Sequence, residues 1–208
     1  MSGSLEAFKE TLEKVDNKNP ADENGTTPLH WATRYGHSDI IRLIFEKVED
    51  KNPANNNGET PLHWAGRNGL LDVFKLIFDN VEDKNPSDKY GVTPLHWAAR
   101  NGHLNVLKLV FANVEDKNPS DKNRRTPLHW AAFKGHLDVI KLIFEIIEDK
   151  NPADKNGETP LHWAAKNGHF DVLEFVFDNM RNKNPSDDIG DTLLHWAARN
   201  GHIGKSNH

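Results

Sequence analysis

Thr126-Pro127-Leu128-His129-Trp130-Ala131 is one copy of a hexapeptide that recurs every 33 residues. Identical copies begin at Thr27, Thr60, Thr93 and Thr159, and the motif returns as Thr192-Leu193-Leu194-His195-Trp196-Ala197. Equal intervals without insertion or deletion describe one supersecondary unit that is copied and stacked. Such a unit cannot bury its own apolar face and hides it against the next copy.

Working outward from Thr126, the unit spans residues 118–150. Thr126 sits where a helix N-cap belongs, and Pro127 takes the first helical position, where its missing N–H costs nothing. Gly135 can adopt the left-handed conformation that closes a short helix. A second helix is predicted from about Leu137 to Ile147. Its apolar face comprises Leu137, Ile140, Leu142, Ile143, Phe144 and Ile147, and Asp138 lies in its first turn. Pro152 disfavours helix at Asn151, and Asn156-Gly157 marks a tight turn. Helices shorter than roughly 12–15 residues are marginal alone, so both must be held by neighbouring units. The small pairs Ala98-Ala99, Ala131-Ala132 and Ala164-Ala165 permit close helix approach.

The composition agrees with thin layers. Of 208 residues, 36% are apolar and 27% charged, and the net charge is −5. An acidic balance gives no general attraction to nucleic acid or an anionic membrane, and no apolar run approaches the length of a spanning helix. Without cysteine there are no disulfides, thiolate catalysis or cysteine-bound zinc. Met1–Ser4 reads as a recombinant scar without secretion-signal features, and an intracellular setting is the expectation.

The unit resembles the ankyrin repeat on its 33-residue period, the Thr-Pro-Leu-His motif, the small pair, and Gly-His before the second helix. The resemblance implies an all-α ankyrin-repeat solenoid of stacked helix-turn-helix units with protruding β-hairpin loops. It further implies an L-shaped stack with short inner helices beside the hairpins and longer outer helices behind. On this frame the chain divides into the scar (1–4), an N-terminal half repeat supplying an outer helix (5–18), five repeats (19–51, 52–84, 85–117, 118–150 and 151–183), and a truncated unit with an inner helix only (184–208). Glu10 and Thr11 replace apolar positions of the outer-helix template, as a polar cap would, and residues 203–208 are expected to fray. Three features depart from the family. Trp follows the motif His in every unit, and Val48, Val81, Val114 and Ile147 replace the glycine after the outer helix, which is therefore expected to end differently. Lys51, Lys84, Lys117 and Lys150 stand where an apolar residue is usual.

Twelve histidines invite a metal reading, and eleven belong to the repeat motif. One histidine per layer forms a ladder with steps of roughly 8–10 Å, too wide for shared coordination. Histidines in similar proteins bond to neighbouring backbone and loop groups. No metal or other cofactor is expected. Asp154–Gly157 has calcium-loop character, but Pro152 and Trp163 occupy the first and last ligand positions. No nucleophile–base pair or phosphate-cradling glycine loop appears, so catalysis is not expected. The six tryptophans fit either of two arrangements, a ladder that seals successive layers or an aromatic stripe in the groove.

Repeats differ most at hairpin tips and inner-helix ends, where similar proteins contact partners. The residues selected as partner-binding are Tyr35, Lys89, Tyr90, Val92, Arg100, Lys122, Arg124, Arg125, Phe133, Lys134 and Lys166. Of these, Tyr90, Val92, Arg124, Arg125 and Phe133 are expected to cluster across the third and fourth units. Aromatic and arginine residues are the types enriched in interface hot spots. The face is basic at Lys89, Arg100, Lys122, Lys134, Lys155 and Lys166, whereas the outer helices carry Glu46, Glu49, Glu82, Glu115, Glu145 and Glu148. The expected partner is a protein with an acidic segment, with no nucleic acid and no membrane, and the chain is expected to be monomeric. Two rivals remain. One is an engineered scaffold without a natural ligand, which near-uniform motifs suit and Gly66, Leu70, Arg124 and Leu193 do not. The other is a head-to-tail assembly through the unfinished ends.

Overall fold

The computed structural model describes residues 2–180 and 184–201. Among these residues there are twelve helices, and the only extended pairing is an isolated antiparallel bridge between Ser186 and Thr192. Helix α1 (Ser2–Lys14) precedes five helix pairs. These are α2 (Pro28–Tyr35) with α3 (Ser38–Phe45), α4 (Pro61–Asn68) with α5 (Leu71–Phe78), α6 (Pro94–Arg100) with α7 (Leu104–Phe111), α8 (Pro127–Lys134) with α9 (Leu137–Ile146), and α10 (Pro160–Asn167) with α11 (Phe170–Asn179). Helix α12 (Leu193–Arg199) follows as a further inner helix. The even-numbered inner helices pack side by side in chain order, and the odd-numbered outer helices form a second row against them. The result is an all-α solenoid.

Every inner helix starts by the same local chemistry. Thr93 is extended (φ −117°, ψ 166°), Pro94 opens the helix, and His96 is its third residue. The Thr93 backbone N–H donates to His96 Nδ1 at 3.1 Å. This is a capping box in which an imidazole replaces the usual Glu or Gln. The helix ends at a left-handed glycine, as at Gly69 (φ 68°), where a Cβ would lie 2.2 Å from the His103 ring.

The core lies between the two rows. Leu29, Leu62, Leu95, Leu128 and Leu161 are fully buried, facing outer-helix residues such as Ile44, Ile77, Val110 and Ile143. Full burial of one such side chain contributes about 1.5–3 kcal/mol. Leu194 occupies the equivalent position in the last unit and is 74% exposed. Burial at this position is thus conferred by the surrounding layers, since the residue is the same and its capping box is kept, with Leu193 in place of proline the one change in the motif.

The outer helices differ from what the resemblance implies. Within the five helix pairs, α3, α5 and α7 have 8 residues each, no more than α2 and α4, and of the outer helices there only α9 and α11 reach 10. Their ends lack a left-handed residue, and Ile147 is extended (φ −92°, ψ 151°). Lysine replaces that cap. Lys117 Nζ donates to the carbonyls of Phe111 and Val114, Lys150 to those of Phe144 and Ile147, Lys84 to Phe78, and Lys18 to Leu12. An ammonium at a helix C-terminus satisfies orphan carbonyls and complements the dipole. The lysines that depart from the family pattern therefore compensate for the missing glycine. Lys51 is the exception and reaches Asn80 Oδ1 of the next unit at 3.5 Å.

At the N-terminal end α1 packs on α3. Leu12 is buried and Phe8 packs against the core, while Glu10 and Thr11 are exposed. Glu13 pairs with Lys47 at 2.9 Å. Ser2–Ser4, read as scar, are part of α1. Met1 and the expected fray at 203–208 lie outside the described residues.

Candidate functional site

Two rows of side chains run along the stack, one on the hairpin tips and one on the inner helices. Each tip is an Asx-type turn. Asp88 Oδ1 accepts the backbone N–H groups of Tyr90 (2.8 Å) and Val92 (2.9 Å), and Asp22, Asn55, Asp121, Asp154 and Asp187 do the same in their units. Successive tips are joined by single backbone bonds. Lys89 N donates to Asn57 O at 2.9 Å, Lys122 N to Tyr90 O at 2.8 Å, and Lys155 N to Asn123 O at 2.9 Å. The tip side chains are thereby held in register, with Lys89, Tyr90, Lys122 and Arg124 exposed. Arg124 has φ 61°, and among the described residues no other non-glycine has positive φ.

The inner-helix row is aromatic and cationic. Trp97 meets Trp130 edge-to-face with centroids 5.3 Å apart, and Trp31 meets Trp64 likewise at 5.5 Å. His30, His96 and His129 each set an edge against the next unit's Trp, at 5.2, 5.8 and 5.9 Å. Cations lie across the same rings. Arg67 is 3.7 Å from the Trp97 centroid, Arg100 5.1 Å from Trp130, Arg125 4.9 Å from Trp163, and Lys166 4.5 Å from Trp196. Each such contact is worth about 0.5–2 kcal/mol, more as water is excluded. The tryptophans therefore combine features of both arrangements, packing against neighbouring layers while all but Trp196 keep part of the side chain at the surface. Exposure runs from 41% at Trp31 to 8% at Trp196, with the four between them half-buried.

The selected residues do not form one cluster. Arg125 and Phe133 meet through Trp163, whose ring lies 5.6 Å from that of Phe133. Arg100 and Lys134 both lie over Phe133, at 5.4 and 5.3 Å. Tyr90 and Arg124 belong to the tip row. Tyr35, 63% exposed, stacks on Trp31 at the N-terminal end of the inner row, and Lys166 lies toward the other end. Val92 requires correction. It is 6% exposed, and its carbonyl accepts His63 Nε2 at 3.0 Å, so it belongs to the scaffold. It lies directly before the buried N-cap Thr93, on the covered side of the helix start.

Sequence reasoning missed a carboxylate pairing on the inner row. Glu59 Oε2 accepts the Trp64 indole N–H at 3.2 Å, and Glu59 Oε1 pairs with Arg67. Lys166 is paired with Glu158 at 3.9 Å and Arg199 with Asp191 at 3.5 Å. Each acid lies eight residues before its base, a spacing visible in the sequence once the geometry is known. Burial raises the Glu158 pKa, against the pull of Lys166. By contrast, the indole nitrogens of Trp97, Trp130 and Trp163 are buried without an acceptor.

The buried histidines are structural hydrogen-bonding groups. His30, His63, His96 and His129 point Nε2 at a carbonyl of the following unit, at 3.1, 3.0, 3.0 and 3.1 Å. His103, His136 and His169 point back to the preceding unit at 3.0, 2.9 and 3.0 Å. Burial pushes His96 and His129 down to about 4. Among the described residues no group of three or more His, Asp or Glu is placed to hold a metal ion. No helix there is long and apolar enough to cross a membrane.

A family model described as ankyrin repeats (3 copies) matches residues 1–88, 68–154 and 142–205. Comparison with curated proteins returned no match.

Proposed function

We propose, from the premise that this chain belongs to the ankyrin repeat family, that it is a non-catalytic module binding an acidic segment of a partner protein across its tips and inner helices. Ankyrin repeats are in general protein–protein interaction modules. The observation that carries the acidic preference is the segregation of charge. Lys89, Lys122, Lys134, Lys155 and Lys166 are exposed on the tips and inner helices, with Arg100 half-buried beside them. Glu46, Glu49, Glu82, Glu115, Glu145 and Glu148 are exposed on or just after the outer helices. A basic groove on a molecule of net charge −5 steers an acidic chain to one face and repels it from the other.

The exposed Tyr35, Tyr90, Arg124 and the half-buried Arg125 and Phe133 add the aromatic and guanidinium surface that anchors such contacts. The test compares a fluorescent polyglutamate peptide with polylysine of equal length. Saturable binding of polyglutamate alone, weakening with salt, is expected. The combined variant Y90A/R125A/F133A should lose that binding while keeping the helical spectrum and monomeric size. Equal affinity of wild type and variant removes these residues from the interface. Equal binding of both peptides removes the acidic preference.

A further inference from the structure

Arg100 is a half-buried inner-row cation that lies over three rings and, among the described residues, pairs with no carboxylate. Its guanidinium lies 5.8 Å from the Trp97 centroid, 5.1 Å from Trp130 and 5.4 Å from Phe133. In three other units the residue eight positions earlier is acidic and pairs with the base, as Glu59 with Arg67, Glu158 with Lys166 and Asp191 with Arg199. In the unit of Arg100 that position holds Val92. In the next unit it holds Arg125, itself 3.8 Å from Asp154 Oδ2, so that unit too places no acid at this position.

The second unit displays what is missing. There one carboxylate serves both a guanidinium and an indole N–H. At Arg100 neither is served, and the indole nitrogens of Trp97 and Trp130 have no acceptor. Burial and the proximity of Arg67 lower the Arg100 pKa, the direction expected of a cation denied its counter-charge. Arg34 also lacks an acid, Thr26 standing at its acidic position, and also lies over three rings, Trp31, Tyr35 and Trp64, but Arg34 is exposed to solvent whereas Arg100 is half-buried. A half-buried guanidinium between rings gains more from a carboxylate than a hydrated one does.

We infer that Arg100, between Trp97, Trp130 and Phe133, is the receptor for an aspartate or glutamate side chain of the partner, which supplies the carboxylate that Glu59 supplies within the second unit. The inference rests on the acidic-segment reading and deepens it to one residue. The partner's carboxylate accepts from the outward N–H groups of the guanidinium, and its flanking chain lies along the tips. An intramolecular acid placed at position 92 is then a competitor for the same cation.

The experiment uses the whole chain and an acetylated, amidated polyglutamate peptide, so that only side-chain carboxylates are offered. Affinity is measured for wild type, V92E and R100Q, and indole N–H resonances are followed by NMR. In wild type the Trp97 and Trp130 indole signals should move most on titration, and Trp64, already held by Glu59, least. Both V92E and R100Q should weaken binding about tenfold, the loss of one charged hydrogen-bonding contact. V92E should also shift the Trp97 indole before any peptide is added. R100Q alters only a half-buried side chain and keeps the test decisive if V92E is unstable. Wild-type affinity in R100Q, with binding otherwise intact and salt-dependent, overturns the Arg100 assignment and leaves the acidic-groove reading standing. Absence of polyglutamate binding in wild type overturns both.

Discussion

His96 Nε2 lies 3.0 Å from the carbonyl oxygen of Arg125, one repeat ahead, while its Nδ1 accepts the backbone N–H of Thr93. The two bonds assign the tautomer. Nε2 carries the proton and donates it across the layer boundary, and Nδ1 must stay bare to accept. A single imidazole thus caps its own helix and ties its unit to the next, and the same arrangement recurs at His30, His63 and His129.

Acid should therefore unstack the solenoid at mild pH. His96 and His129 titrate near 4 in the folded chain and near 6.5 when exposed, with burial as the main cause. Between those values the unfolded chain binds more protons, so stability rises with pH across this window. It is complete above about 6.5 and is lost as pH falls toward 4. Each of these two histidines contributes about 3 kcal/mol of this dependence. His30, His63 and His162 are lowered too, mainly by burial, and act in the same direction. Urea unfolding at pH 7 and pH 4.5 measures the slope, and H96Q/H129Q should flatten it. An unchanged slope in that variant contradicts the assignment.

Arg124→Gly should stabilise the protein. Arg124 holds φ 61° where the other tips have glycine, such as Gly91 at φ 79° and Gly157 at φ 73°. A side chain in the left-handed region costs about 1–2 kcal/mol, so the variant gains about 1 kcal/mol in urea unfolding. If Arg124 contacts the partner, the same variant binds polyglutamate more weakly. A gain in stability together with a loss in binding marks strain retained for function.

Lys117→Met should destabilise by about 1–2 kcal/mol despite restoring the apolar character usual in the family. The ammonium closes the carbonyls of Phe111 and Val114, and methionine leaves both without that donor. Thermal unfolding reads the loss. Faster amide exchange at the end of α7, with other helices unaffected, separates a failed cap from general softening. Equal stability of the variant would show that water caps this end as well.

Polyglutamate affinity as a function of salt bears on the groove itself. Binding through several cations in one row should weaken steeply as ionic strength rises, because the Debye length falls from about 10 Å at 0.1 M to about 3 Å at 1 M. A salt-independent affinity points to contacts dominated by Tyr90 and the inner-row rings instead.

Much of the scaffold was legible in the chain itself. The period, the start of α8 at Pro127 after Thr126, its left-handed stop at Gly135 and the turn at Gly157 all follow from interactions among residues close in sequence. Which selected side chains reach the surface followed less well. Val92 stands two residues after the exposed Tyr90, yet it is buried and its carbonyl is tied to His63 of the preceding unit, and no local pattern encodes that cover. The tryptophans were undecided for the same reason, since the next layer sets how much of each ring stays wet. The pairing of Glu59 with Trp64 and Arg67, and its loss at Arg100, became visible only in three dimensions. Caps and turns are settled by bonds a few residues long. Groove chemistry depends on how one slab lies on another, which is the sum of many small rotations that the sequence does not state individually.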